Sequence, residues 1–395
     1  MLAQAGSPAG GGLQKGHSLI PEATMWCVMH RQRACAGFSR LYVGKGACTI
    51  LAMWQSRQAC IRGSRPRKRF RQTMNQSIDR FQDIHVHASA VREWHQTYSQ
   101  ITAGALESSL IQLNSARCHV FREHINQRVV QHGEAPRGKL CFAVPIAIPG
   151  SIRMQGREAD DKSIFVLRGG EEFMFHMPMG MDLLAITFEQ SFFDQALADT
   201  PWEQEIGMLL RQPVIKVPQQ RLEEARRRLL AIFSRAMASG DAGVPPQGEP
   251  PQALEQAMLE EMLRLVTDPA CDRAQRHGSS THSFIVEKCH RLAMSDAVNV
   301  PSVMDLCERL HVSRRTVQNS FRTVAETTPL NYLRSVRLNG VRRKLMSTAP
   351  SELSIGDAAS AWGFFHLSHF AAEYQELFGE LPSQTRRAEA RRMAS

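Results

Sequence analysis

The sequence predicts an α+β protein with an N-terminal β-barrel or jelly-roll domain, flanking helices, and a C-terminal all-α domain. Residues 302–323 and 354–377 each have the pattern of a helix, a tight turn and a second helix, and a basic helical segment joins them. Short strand-like runs separated by glycine and proline occupy residues 118–189. We therefore expect two helix-turn-helix units joined by a linker helix, preceded by a β-rich domain.

The first helix-turn-helix unit combines an apolar stripe with a polar outer face. Pro301 suits a first helical turn, and Ser313 is placed to cap the second helix. In that helix Val317 and Phe321 face inward, and the outward face holds Ser313, Arg314, Arg315, Thr316, Gln318, Asn319 and Arg322. Arg, Gln and Asn can make paired hydrogen bonds to base edges in the major groove. These residues are candidate DNA contacts; a solvated basic helix face is the alternative.

The second unit has weaker polar signals. Ser354 and Asp357 form a capping pattern, and Gly363 breaks the helix where a positive φ is needed. The next helix, residues 367–378, places Phe370 and Tyr374 toward a core. Its outward residues are further candidate DNA contacts: His366, Ser368, His369 and Glu373.

The linker helix between the units is predicted over residues 329–347. At the usual rise per residue it is about 28 Å long, close to the ~34 Å between successive major-groove faces on one side of B-DNA. Its Arg342 and Arg343 are expected to contact phosphates, which position a protein without specifying sequence. Arginines that are merely solvated remain the alternative.

Three segments carry a likeness to a known family: residues 358–364 (AASAWGF), 368–370 (SHF) and 378–383 (FGELPS). Residues 283–388 resemble the AraC/XylS family of transcription regulators. Within it, residues 306–319 and 337–343, and more thinly 120–123, are most similar to regulators of ethanolamine operons. The resemblance implies a sequence-specific DNA-binding regulator, an activator by the family's commoner habit, with an effector-sensing domain. It also implies operator DNA and RNA polymerase as partners, with ethanolamine and adenosylcobalamin as one candidate effector pair.

Net charge alone is a misleading guide to DNA binding here. Of the formal charge of +10, residues 1–73 carry +11, residues 74–282 carry −5 and residues 283–395 carry +4. The DNA hypothesis therefore depends on how the arginines are arranged rather than on their total.

The first 73 residues are basic and contain Cys27, Cys35, Cys48 and Cys60. Three interpretations compete: a targeting or nucleic-acid-binding arm, a zinc site with unusually wide cysteine spacing, or a disordered extension upstream of a true start at Met74. We favour the start at Met74. The other cysteines are scattered and no run of ~18 apolar residues occurs, so a cytoplasmic protein without disulfides or a membrane span is expected.

The middle of the chain is interpreted as an effector-sensing domain over residues 74–267, followed by a linker, 268–281, the DNA-binding domain, 282–388, and a tail, 389–395. A short helix is expected from Ala90 to Trp94. Amphipathic helices are expected over 218–238 and 253–266, either pairing with their copies in a homodimer or packing on the barrel. Barrel-lining aromatics that could contact a ligand are Phe142, Phe165, Phe173 and Phe175.

A metal-dependent cupin-type enzyme is the alternative function. His85, His87 and Glu93 resemble part of a cupin ligand set, but they precede the strands, and no later histidine completes it. Bound iron or zinc needs several ligands that converge on one point. We therefore expect no enzyme activity and no metal.

Overall fold

A computed structural model describes residues 74–150, 152–198, 200–240, 251–268, 270–271, 281–295 and 301–388. The basic extension with its four cysteines, residues 272–280 of the expected linker, and the tail lie outside these residues. No helix in the described ranges is both long and apolar enough to cross a membrane.

The N-terminal half is built from two antiparallel sheets. The strands are β1 (Asn75–Phe81), β2 (His95–Gln100), β3 (Ser108–Asn114), β4 (Cys118–Ile125), β5 (Val129–Glu134), β6 (Lys139–Ala147), β7 (Ile152–Met154), β8 (Arg157–Ala159), β9 (Ser163–Arg168), β10 (Glu172–Met177), β11 (Met181–Glu189) and β12 (Val214–Lys216). One sheet has the order β1-β3-β4-β11-β6-β9-β12 and the other β2-β5-β10-β7-β8. The predicted strand-rich region is confirmed, and it extends further toward the N-terminus than the pattern indicated.

The larger sheet has two buried faces, which explains its apolar strands. On β11, Leu184 and Ile186 pack in one core, and Leu183 packs in the other, as the two-residue period of a strand requires. Phe165 of β9 meets Phe175 of β10 across the space between the sheets, with ring centroids 4.9 Å apart. Phe165, Phe173 and Phe175, three of the four aromatic residues expected to line the barrel, thus belong to the inter-sheet core. Phe142 packs with the opposite, helix-covered core, and it also lines the small inter-sheet cavity with the other three aromatics.

Helices cover the outer face of the larger sheet. They are α2 (Gln190–Leu197), α3 (Glu203–Leu209), α4 (Gln219–Gly240) and α5 (Pro251–Val266). Leu229 and Phe233 of α4 and Met258 and Met262 of α5 are buried in the same core as Phe188 of β11. The apolar faces that could have paired with a second copy are therefore occupied by the chain's own sheet.

The expected helix from Ala90 to Trp94 is wrong. The helix, α1, spans Ile84–Ala90 and begins after Asp83, whose carboxylate accepts hydrogen bonds from the backbone N–H groups of His85 and Val86. The cap at Asp83 was the signal that the periodicity analysis overlooked. His85 and His87 thus lie on a helix, away from the strand positions that a cupin site would need. Among the described residues, no cluster of three or more His, Cys, Asp or Glu side chains could hold a metal ion.

The C-terminal half is helical: α6 (Thr281–Ser295), α7 (Val303–Leu310), α8 (Arg314–Ala325), α9 (Pro329–Ser347), α10 (Ile355–Ser360) and α11 (Leu367–Phe378). The bounds of α9 and α11 agree with the prediction. Ser313 and Ser354 cap α8 and α10 as expected, through hydrogen bonds from the N–H groups of Thr316 and Asp357. Helix α7 begins after Ser302, which forms a reciprocal capping box with Asp305.

Candidate nucleic-acid interface

Helix α9 is shared by two small cores. Its first half contributes Tyr332 and Val336 to a core with α6, α7 and α8. Its second half contributes Val341 and Leu345 to a core with α10 and α11. Because one straight helix belongs to both cores, the distance between α8 and α11 is held by packing rather than by a flexible link.

One face of helix α8 is polar and takes no part in the packing of the core beneath it. Val317 and Phe321 are fully buried beneath it. The predicted outward residues are exposed on its other side: Ser313, Arg314, Arg315, Gln318, Asn319 and Arg322, with Thr316 half-buried. The Ser313 hydroxyl is already engaged as the helix cap. A row of exposed Arg, Gln and Asn donors on a rigid helix is the geometry that major-groove contacts use.

Helix α11 presents a shorter polar face. His366, Ser368 and His369 are exposed at its N-terminal end, as expected. Glu373 is half-buried, and its carboxylate pairs with Arg334 of α9 at 3.2 Å. Glu373 therefore braces α11 against the connecting helix, a role that the sequence pattern did not suggest.

Two exposed apolar side chains adjoin the same end of α11. Phe365 is 76% exposed and Leu367 is 51% exposed. The sequence pattern gives no sign of this exposure, because an apolar residue between two helices ordinarily belongs to the core. Here Phe364, their neighbour, packs against Phe370 and takes the core position.

Arg342 does not lie where a phosphate contact was expected, and this corrects the prediction. Its guanidinium donates to Asp83 at 2.5 Å and pairs with Glu380 at 2.8 Å, and its side chain is only 7% exposed. Burial alone would raise the pKa of Asp83, but the Arg342 charge, the His85 ring and the hydrogen bonds from Arg342 and the Val86 N–H together hold that pKa below its usual value. In this conformation Arg342 joins the two halves of the chain.

Arg343 also departs from the expected solvent-facing position. Its Nη2 lies 3.6 Å from the sulfur of Met294, a weak acceptor. Its Nη1 is buried, with no hydrogen-bond partner in the described part of the chain. Burial lowers the pKa of Arg343 to about 10.

The two halves are also joined through backbone groups. Asn339 of α9 is fully buried; its side chain accepts from the Gln100 N–H at 3.0 Å and donates to the Gln100 carbonyl at 2.8 Å. The Gln100 side chain donates to the carbonyl of Leu377 at 2.7 Å, at the end of α11. Arg128 of the N-terminal half pairs with Glu326 at 2.5 Å. The end of β2 therefore docks on the helix that spaces α8 and α11.

A separate polar cluster lies inside the inter-sheet core. Glu123 is 1% exposed; its carboxylate accepts from the Tyr98 hydroxyl at 3.1 Å and lies 3.2 Å from Nε2 of His87. Gln131 donates to the Tyr98 oxygen at 2.9 Å. Glu123 and Trp94 line a cavity of about 30 Å³, and the Trp94 indole N–H has no hydrogen-bond partner among the described residues. This cluster was not identified from the sequence, because its members come from distant strands.

Comparison with known proteins places a likeness in the C-terminal segment. A family model described as a helix-turn-helix domain matches residues 306–388. The XylDLEGF operon transcriptional activator of Pseudomonas putida is 41% identical over 86 residues, which are 22% of this chain and 27% of that protein. A probable thc operon regulatory protein of Rhodococcus erythropolis is 33% identical over 83 residues, 21% of this chain and 25% of that protein.

Among solved structures, the AraC-like transcriptional activator CuxR aligns with 67% of this chain and 94% of its own, at 10% identity and a TM-score of 0.37. The chain spans about a quarter of the length of the curated relatives it matches. Helices α8 to α11 and the last five residues of α7 thus lie within residues 306–388, the segment that is similar to a helix-turn-helix domain.

Proposed function

We propose that this chain is a sequence-specific DNA-binding transcription regulator, an activator, whose N-terminal half senses a small molecule. The observation that carries the proposal is the exposed polar row of α8, held on a packed frame together with the exposed end of α11. The match of residues 306–388 to a helix-turn-helix domain supports it independently.

The proposed base-reading residues are the polar residues on the outer face of α8 and at the start of α11: Ser313, Arg314, Arg315, Thr316, Gln318, Asn319, Arg322, His366, Ser368 and His369. Glu373 acts through Arg334 by holding α11 in place. Arg342 and Arg343 can reach the phosphates of a DNA duplex only in a conformation in which their present contacts have opened.

DNA binding is tested with the full chain and a duplex selected from a random library, compared with a scrambled duplex. Arg315→Ala and Gln318→Ala each remove one candidate base contact. Each should lower discrimination between the two duplexes by about 1–3 kcal/mol, since a good bidentate pair contributes that much. This corresponds to roughly 5- to 150-fold in the ratio of the two dissociation constants.

The matched control is Arg309→Ala, which removes an exposed arginine from α7 rather than α8. It should leave the discrimination ratio unchanged. If Arg315→Ala weakens binding to both duplexes equally, α8 contacts phosphates only, and the proposed reading of bases is refuted. Selection that enriches no sequence would refute sequence specificity itself.

The N-terminal half is proposed to bind its effector inside the inter-sheet core. Glu123 offers an acceptor and the unpartnered Trp94 N–H offers a donor, so a small amine with a second polar group suits the cluster. Ethanolamine, implied by the family resemblance, has that chemistry. The cavity of about 30 Å³ has room for roughly one water molecule, so ethanolamine can enter only where the cavity widens around it, and adenosylcobalamin is far too large for it.

Effector binding is tested by thermal unfolding of the full chain with ethanolamine, because a ligand of the folded state raises Tm. Wild-type protein should show a rise that Glu123→Gln abolishes and Glu107→Gln, on an exposed loop, preserves. An equal rise in the Glu123→Gln protein would place ethanolamine elsewhere. No rise at saturating ethanolamine would remove it as the effector.

The domains of the chain, its protein partner and its location in the cell are also proposed. We propose that the two sheets form a jelly-roll barrel in a sensing domain over residues 74–267, and that residues 268–281 link it to a DNA-binding domain over 282–388. RNA polymerase is the proposed protein partner, and the protein is proposed to be cytoplasmic and without enzyme activity. A homodimer would have to use surfaces other than the buried faces of α4 and α5.

A further inference from the structure

An open cleft of about 540 Å³ separates α1 of the N-terminal half from α9 of the C-terminal half. His85 and Ser89 line it from α1, Arg343 and Lys344 line it from α9, and the Trp362 ring forms part of its wall. This volume is within the range of clefts that bind small organic molecules. The cleft is distinct from the polar face of α8 and from the cavity around Glu123.

Two residues that line the cleft each have a buried polar atom without a hydrogen bond. These atoms are Nη1 of Arg343 and Nε2 of His85, and neither has a partner in the described residues. The Arg343 side chain is half-buried, and its Nη2 lies 3.6 Å from the Met294 sulfur. A guanidinium partly withdrawn from water and without an oxygen acceptor is costly, so such groups are usually paired with a carboxylate or a phosphate.

The charges around the cleft are positive. The residues that line it include Arg343 and Lys344 and no Asp or Glu. The nearest carboxylate on α1, that of Asp83, is already engaged by Arg342 and by the N-terminus of α1. The residues that line the cleft therefore offer no negative charge to balance Arg343, whereas Arg342, its neighbour in sequence, is paired with two carboxylates.

We propose that this cleft binds the carboxylate or phosphate group of a small organic anion, which pairs with Arg343 and bridges α1 and α9. Lys344 adds charge at the mouth, and the Ser89 hydroxyl and the His85 ring, in the tautomer with a proton on Nε2, supply further donors. The anion then strengthens the contact between the two halves of the chain. This regulatory consequence rests on the proposed DNA-binding function, whereas the binding itself does not.

A phosphate of DNA has the same chemistry as a small phosphate ion. The position of Arg343 favours the small anion, because its guanidinium packs against Met294 of α6 and faces α1 of the N-terminal half. The exposed candidate base contacts lie on other helices, α8 and α11. The experiment therefore includes DNA as a separate arm.

The test uses the full chain at pH 7 and constant ionic strength, with inorganic phosphate or succinate replacing chloride. At a concentration tenfold above Kd, a single-site anion should raise Tm by roughly 2 °C. Arg343→Gln should lose the rise, and Arg309→Gln, which changes an exposed arginine of α7, should keep it. Phosphate also stabilises many proteins by exclusion from their surface, so the difference between the two variants is the result that counts.

Two further variants keep the test decisive if Arg343→Gln does not fold. Lys344→Gln changes an exposed residue and should reduce the apparent anion affinity several-fold, and Arg343→Lys should retain part of the response. Equal anion responses in Arg343→Gln or Lys344→Gln and in wild-type protein would overturn the proposal. So would a response to duplex DNA that depends on Arg343 while phosphate and succinate have none.

Affinity for the selected duplex, measured in chloride buffer without phosphate or succinate, separates this proposal from the proposed function. An anion response that depends on Arg343 supports the cleft whether or not the duplex binds. Selective duplex binding without any anion response would support the proposed DNA-binding function and overturn the proposed anion site.

Discussion

Replacing Asn339 with alanine tests whether one buried amide holds the two halves of the chain together. Asn339 is fully buried and completes the hydrogen bonds of both backbone groups of Gln100, at 3.0 and 2.8 Å. Alanine would leave a buried N–H and a buried C=O unsatisfied. At about 1–3 kcal/mol for each orphaned group, the docked arrangement should lose about 2–6 kcal/mol.

This loss should appear as separation of the halves rather than as global unfolding, because water can satisfy Gln100 once β2 leaves α9. Hydrogen exchange of the Gln100 amide is the direct assay. A loss of about 2 kcal/mol, the smallest loss expected, makes exchange of this amide roughly 30-fold faster where exchange occurs through local opening. The matched control is Asn331→Ala, which truncates an exposed asparagine on the same helix.

Unchanged protection of the Gln100 amide in Asn339→Ala would refute the reasoning, since it would mean that the docked state does not depend on this pair. Equal acceleration at Gln100 in the Asn331→Ala protein would also refute it, because the effect would then come from general loosening of α9.

Three further predictions concern stability. Gly340→Ala should lower the free energy of unfolding by about 1–3 kcal/mol and lower Tm, because a Cβ at this position would lie 2.4 Å from the Trp362 ring. An unchanged Tm would show that the ring moves freely. Burial lowers the pKa of His176 to about 3, so the neutral buried ring contributes its full stability above pH 6.5 and loses it as pH falls toward 3. His176→Phe should therefore reduce the pH dependence of the free energy of unfolding by about 1.4 kcal/mol per pH unit between these two values. An unaltered dependence would contradict this. The pKa of Asp83 is lowered, so its stabilising contribution is lost as pH falls through that lowered value. Asp83→Asn should therefore reduce the pH dependence of the free energy of unfolding below pH 4, and Asp79→Asn, at a half-buried position of β1, should not.

Local physical chemistry made the helical half predictable. The caps at Ser313 and Ser354 and the bounds of α9 and α11 follow from hydrogen bonds and periodicities within a few residues. The exposed row of α8 follows from the same periodicity, because Val317 and Phe321 determine which face is buried. The first strands and α1 were missed, since β1 to β3 alternate too weakly for a pattern and one aspartate cap determines where α1 begins.

By itself, the sequence determined where the helices of the DNA-binding half begin and end and which of their faces are polar. Only the tertiary structure decided the fate of Arg342 and Arg343, adjacent arginines that look equivalent in the sequence. One meets Asp83, which is 259 positions away, and the other meets a cleft without a carboxylate. The physical reason is that the partner of a buried charge is chosen by long-range packing, and no local pattern records which distant residue that packing brings near.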